Sequence, residues 1–324
     1  MTWRALLHEY VRLRNEVEGT LEGWRSVLSF VHDEGFVEAE AGRLKRSQQL
    51  RRERGITPVQ HETRLKVLKV QEGNSRVIVD IETSKQFTYS MQGSRQLEGK
   101  MERERVTLER KTNGEWVIVA VAPYIGDHDS MRSFYSEFSQ VPFIETDVST
   151  HSQVPARGII YDREAARQYA ETWWNSYNPA YLEFEVDCTN FVSQCLFAGH
   201  APMHYTGKRE TGWWFRGRNG SQELWSFSWA VAQSLQLYLG TSKSGLRGIQ
   251  VDSADKLALG DVINYSWDGI RFTHSTIVTG FTPDGMPLVN AHTVNSRNRY
   301  WDYRDSYAWT DNTVYRFYHI PDVL

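Results

Sequence analysis

The chain alternates between two hydrophobic periods. From Trp3 to Val31 the apolar positions Trp3, Leu6, Tyr10, Leu13, Val17, Leu21, Trp24, Leu28 and Val31 recur every three or four residues, the spacing of one long amphipathic helix or a helix pair. Gly19 and Gly23 are its weak points. After His61 the period falls to two: Leu65 and Val67, then Val77, Val79 and Ile81, then Phe87, Tyr89 and Met91, then Val106 and Leu108. These predict half-buried strands. Asn113-Gly114, between Val106–Leu108 and Trp116, Ile118, Ala120, predicts a turn in an antiparallel meander. Periodicity fades after Ala122 into DVSTHSQVPARG, a polar linker. The expected division is an N-terminal α+β domain over 1–125, a linker over 126–157 and a second domain over 158–324.

In the second half, Asp162 to Trp174 predicts a helix with Asp162 as N-cap and Asn178-Pro179 beyond its end. An acidic residue, Asp187, then Cys188, then Phe191, Val192, Cys195 and Leu196 at helical spacing put Cys188 in the first turn of another helix. A loop over a groove is expected at GWWFRGRNG, followed by a helix over Ser226 to Leu239. Leu259 to Tyr265 reads as a turn entering a strand, and HSTIVTGF and LVNAHT as a hairpin about Pro283-Asp284-Gly285. Along the hairpin His274 shares a face with Thr276, Val278 and Gly280, and Asn290 with His292.

Composition narrows the chemistry. The 324 residues carry a net charge of −3, 12 Trp and 16 Tyr, with no basic tail, so nucleic acid and a polybasic membrane anchor are not expected as partners. Aromatic surfaces can line a groove for sugars or peptides, although aromatic cores are commoner. No apolar run near the N-terminus reaches the roughly 18 residues of a membrane span. Cys188 and Cys195 are too far apart along one helix to bridge, and a reduced, cytoplasmic protein is expected. Their spacing from His274 and His292 fits no structural zinc site, and no phosphate or dinucleotide loop occurs, so neither metal nor cofactor is expected. His61 and Asp80 stand alone in the first domain, where a packing role is the default. The densely basic stretch Arg43 to Arg54 reads as a solvated face.

A thiol at a helix N-terminus is pushed toward thiolate by the dipole and the unpaired N–H groups. A nucleophilic thiol needs an imidazole as proton acceptor and donor, and that imidazole needs a third polar group to fix its tautomer. Cys188, His274 and either His292 or Asn290 supply such a set.

NPAYLEFEVDCTNFVSQCLFAG, Ser228-Trp229, LGDVINYSWDG, THSTIVTG, NAHTVNSRN and YRFYHI together resemble the bacterial "putative amidase" domain family, related to the CHAP and NlpC-type cell-wall hydrolases, over about residues 155–324. The resemblance implies a papain-like α+β fold, a helix bearing Cys188 on an antiparallel sheet bearing His274, and a cysteine hydrolase acting on amide bonds of peptidoglycan or a related peptide through a thioester. It favours His292 as third member, with Asn290 as the alternative. His200 departs from a Gly more usual in the family. An inactive module binding glycan or peptide, or an acyltransferase using the same dyad, are the alternatives. The first domain lies outside the resemblance, and its element order resembles the cone-shaped nuclear-transport-factor-like fold.

Overall fold

The computed structural model describes residues 1–20, 28–124 and 158–324, so Leu21, Trp24, Gly23 and the expected linker lie outside the described residues. The chain is of the α+β class, helices with antiparallel sheet. It divides into two compact units, of which the first gathers the residues before the undescribed stretch at 125–157 together with Asp302–Trp309.

In the first unit, α1 (Trp3–Thr20) and α2 (Glu34–Glu53) cover a sheet of β1 (Ile56–Glu72), β2 (Arg76–Met91), β3 (Ser94–Arg110) and β4 (Trp116–Pro123), paired antiparallel in that order. The alternating residues Val77, Val79, Ile81, Val106 and Leu108 are all fully buried against Leu7 and Tyr10 of α1. The periodicity therefore assigned their face correctly. What it divided, the fold joins: Val77–Ile81 and Phe87–Met91 belong to the single strand β2. β2 turns into β3 at Gln92-Gly93, whose φ values of 49° and 79° suit a tight hairpin of the hand that sheet twist requires.

The basic stretch is also not wholly a solvated face, because Arg43 is buried. Its guanidinium donates to Glu40 at 2.8 Å and to Glu18 at 2.9 Å, while Lys85 donates to Glu18 at 2.7 Å and Arg14 to Glu104 at 2.6 Å. Tyr307, from the returning segment, donates to Glu40. A charge can be buried when an opposite charge and hydrogen bonds meet it, and each of these is met.

In the second unit, α3 (Arg163–Trp173) and α4 (Cys188–Ala198) pack on an antiparallel sheet. Asp162 caps α3, its carboxylate accepting from the N–H of Ala165 at 2.9 Å. GWWFRGRNG lies within a hairpin, β5 (Phe215–Asn219) with β6 (Gln222–Trp225), rather than a plain loop. The helix expected over 226–239 is divided at Val231 into α5 (Phe227–Ala230) and α6 (Ala232–Thr241). The sheet strands are β7 (Ile249–Val251), β8 (Val262–Ser266), β9 (His274–Phe281), β10 (Pro287–Ala291), β11 (Ser296–Tyr300) and β12 (Val314–His319), in the spatial order β11-β10-β9-β8-β12-β7. β8 and β10 are buried along their whole length, because α3 and α4 cover one face and aromatic side chains pack on the other.

Candidate active site

The site begins at the start of α4. Cys188 is its first residue and is 1% exposed. Phe191, Val192, Cys195 and Leu196 are fully buried, so the apolar stripe read from the sequence holds α4 on the sheet. Trp229 braces the helix from the side, its indole N–H donating to Oδ1 of Asn190 at 2.8 Å.

Asp187 stands at the N-cap but does not cap through its side chain. Oδ1 instead accepts from the N–H of Phe184 at 3.1 Å and from Asn190 at 2.8 Å, and Oδ2 lies 2.7 Å from Nδ1 of His292. His292 is buried, stacked on Phe191 at a centroid distance of 4.1 Å, with Nε2 2.7 Å from the carbonyl oxygen of Trp173.

The sulfur of Cys188 contacts the hydroxyl of Thr189 at 3.8 Å and the carbonyl oxygen of Thr273 at 3.9 Å. Its backbone N–H donates to Oγ1 of Thr293 at 3.2 Å. Thr189 meets Ser275 at 3.0 Å, and Ser275 accepts from Asn264 at 2.9 Å. Ser275 and Asn264 thus face α4. Because side chains alternate along a strand, His274 and its partner Tyr265 project from the opposite face of the sheet. There the His274 ring lies 5.4 Å from Tyr265 and 5.9 Å from Trp267.

The structure therefore brings Cys188 against the residues on either side of His274, and no hydrogen bond joins Cys188 to His274 itself. Nor do His292 and Asn290 orient His274. His292 is held by Asp187 and Trp173, and Asn290 donates to Glu171 at 2.9 Å while accepting from Thr279 and from the N–H of Asn298. Sequence reasoning missed Thr293, although the His-Thr pair in NAHTVNSRN was its signal.

Electrostatically the pair is neutral. Burial raises the Cys188 thiol above its ordinary value, outweighing hydrogen bonds from the Ser275 backbone, Thr189 and Thr293 that favour the thiolate. The thiolate expected from the helix dipole alone is not the resting form: desolvation wins. Burial, with Arg299 adding to it, lowers His274 from 6.5 to about 3. Among the described residues no group of His, Cys, Asp and Glu side chains could hold a metal ion.

A cysteine opening a helix that packs on an antiparallel sheet is a geometry that thiol acyl chemistry can use. The model of the family described as "Putative amidase domain" matches residues 160–318. The family name supports hydrolysis of amides in general. The chain is also similar to "Uncharacterized protein YhbB" of Bacillus subtilis (strain 168), 52% identical over 167 residues that make up 51% of this chain and 52% of that protein. The chain thus spans about half the length of this curated relative. A solved structure, "Crystal structure of intermembrane space region of chloroplast protein ARC6", covers 38% of this chain and 96% of its own at 12% identity, with a TM-score of 0.29, too low to carry an argument. No helix among the described residues is long and apolar enough to cross a membrane.

Proposed function

We propose that the chain is a cysteine-nucleophile amidase acting on amide bonds of peptidoglycan or a related peptide. One observation carries the reading: within the family-matched region, the sulfur of Cys188 lies at the start of α4 and 3.9 Å from the carbonyl oxygen of Thr273, the residue that leads into His274. His274 is the proposed base. It is neutral, as an acceptor must be, and it opens β9 one residue after Thr273, so taking the thiol proton requires its ring to leave the Tyr265 face of the sheet.

In the reaction His274 takes the thiol proton, sulfur adds to the amide carbonyl, and the C–N bond breaks as His274 returns the proton to the leaving amine. Water, deprotonated by His274, then opens the thioester and restores the thiol. His292 and Asn290, proposed from the sequence as third member, act in this reading by holding α3 and α4 to β10.

The test is release of new amino groups from peptidoglycan fragments by the wild type, Cys188→Ala and His274→Ala. Turnover by the wild type and none by Cys188→Ala is expected; equal turnover by both sinks the reading. A second reading, a module that binds glycan or peptide without turnover, is favoured by the burial of Cys188 and its raised thiol. Fragments bound but never cleaved by the wild type would establish it.

A further inference from the structure

Two consecutive residues after β10 grip two consecutive residues at the start of α4. His292 holds Asp187 at 2.7 Å, and Thr293 holds the N–H of Cys188 at 3.2 Å. Thr293 does so from a backbone φ of 82°, in the left-handed region where a β-branched residue is strained. Such a conformation persists only where its surroundings enforce it. Here the enforcing contact is His292, buried and bonded through both ring nitrogens immediately before it. Asn or Gly would meet the turn without strain, so a Thr at this position points to a use for its hydroxyl.

We propose that Thr293 is a positioning residue for the Cys188 thiol, its hydroxyl bracing the nucleophile from a strained turn that His292 ties to Asp187. The inference rests on the reading of Cys188 as nucleophile. Oγ1 accepts from the Cys188 N–H at 3.2 Å and so fixes the backbone that carries the sulfur, and the hydroxyl favours the thiolate against the burial that raises the thiol. The hydroxyl of Thr189, 3.8 Å from the sulfur, is shared with Ser275 at 3.0 Å. The charged groups at this end of α4 are Asp187, which disfavours the thiolate, and its partner His292. The neutral His274 lies on the far face of β9. Thr293 is itself half-buried.

The experiment is the pH profile of iodoacetamide alkylation of Cys188 in the full chain, mapped by peptide mass, for the wild type and for Thr293→Ser, Thr293→Ala and Thr293→Gly. Thr293→Ser should keep the wild-type midpoint. Thr293→Ala and Thr293→Gly should move it up, slowing alkylation at fixed pH by roughly three- to tenfold, the range of one hydrogen bond. Gly accepts the positive φ without strain, which guards against misfolding. A wild-type profile in both Thr293→Ala and Thr293→Gly overturns the proposal, since a merely structural Thr293 would alter stability and leave the midpoint alone. The nucleophile reading fails separately, through amide turnover retained in Cys188→Ala.

Discussion

Nδ1 of His292 lies 2.7 Å from Oδ2 of Asp187, and the other ring nitrogen, Nε2, lies 2.7 Å from the carbonyl oxygen of Trp173. A backbone carbonyl only accepts and an ionised carboxylate only accepts, so the doubly protonated ring is the form that satisfies both contacts. The result is a buried ion pair at the N-cap of α4, one residue from the thiol.

Breaking that pair from one side should cost more than an ordinary core change. Asp187→Asn or His292→Ala leaves a buried charge without its counterpart, and a loss of about 3 to 5 kcal/mol is expected. Urea unfolding followed by tryptophan fluorescence measures it. A loss below about 1 kcal/mol for both variants contradicts the ion pair.

Acid should weaken the first unit through Glu40. Burial alone would raise its carboxyl, but Arg43 and Arg14 outweigh burial and lower it from 4.5 to about 2. The folded value is the depressed one, so this stabilisation is complete above about pH 4.5 and is lost as pH falls toward 2, at most about 3 kcal/mol in all. Hydrogen exchange of the Ile81 and Val106 amides, measured against pH, should show this acid slope in the wild type and a shallower one in Glu40→Gln.

His274 titrates with the opposite charge but the same sign of effect. Its folded value, about 3, lies below the ordinary 6.5, so the unfolded chain binds the proton first; stability is full above about pH 6.5 and falls between there and 3. In ring-labelled protein, the His274 resonance should remain that of the neutral imidazole at pH 5. A midpoint near 6.5 contradicts the burial described here.

His200, where the resemblance leads one to expect Gly, sits at a φ of 69° and is exposed. Replacing it with Gly relieves the left-handed penalty at some cost in unfolded-chain entropy, a net gain of about 0.5 to 1 kcal/mol. A melting temperature raised by a few degrees is expected; a lowered one shows that the imidazole makes a contact that matters more.

The sequence made legible whatever depends on neighbours along the chain. The face of Val77, Val79 and Ile81, the Asp162 cap and the placing of Cys188 at a helix start all follow from local spacing. Arg43 was not legible, because its type says surface while its partner Glu18 comes from another helix, α1. Gln92-Gly93 was not legible as a turn because the run after it, Ser94 to Gln96, is polar, and β3 is held there by pairing with β2 rather than by apolar alternation. The side of the sheet taken by His274 depends on register with Asn264 and Tyr265 and on where α4 lands, and spacing within one strand carries neither.

If Cys188 is the nucleophile, a covalent acyl intermediate forms on its sulfur, and rapid acid quenching of a peptidoglycan-fragment digest, followed by intact and peptide mass spectrometry, detects it. An acyl adduct on the peptide containing Cys188 is expected, absent in Cys188→Ala and strongly reduced in His274→Ala. Amide cleavage that proceeds in Cys188→Ala, or an adduct on any other residue, contradicts it.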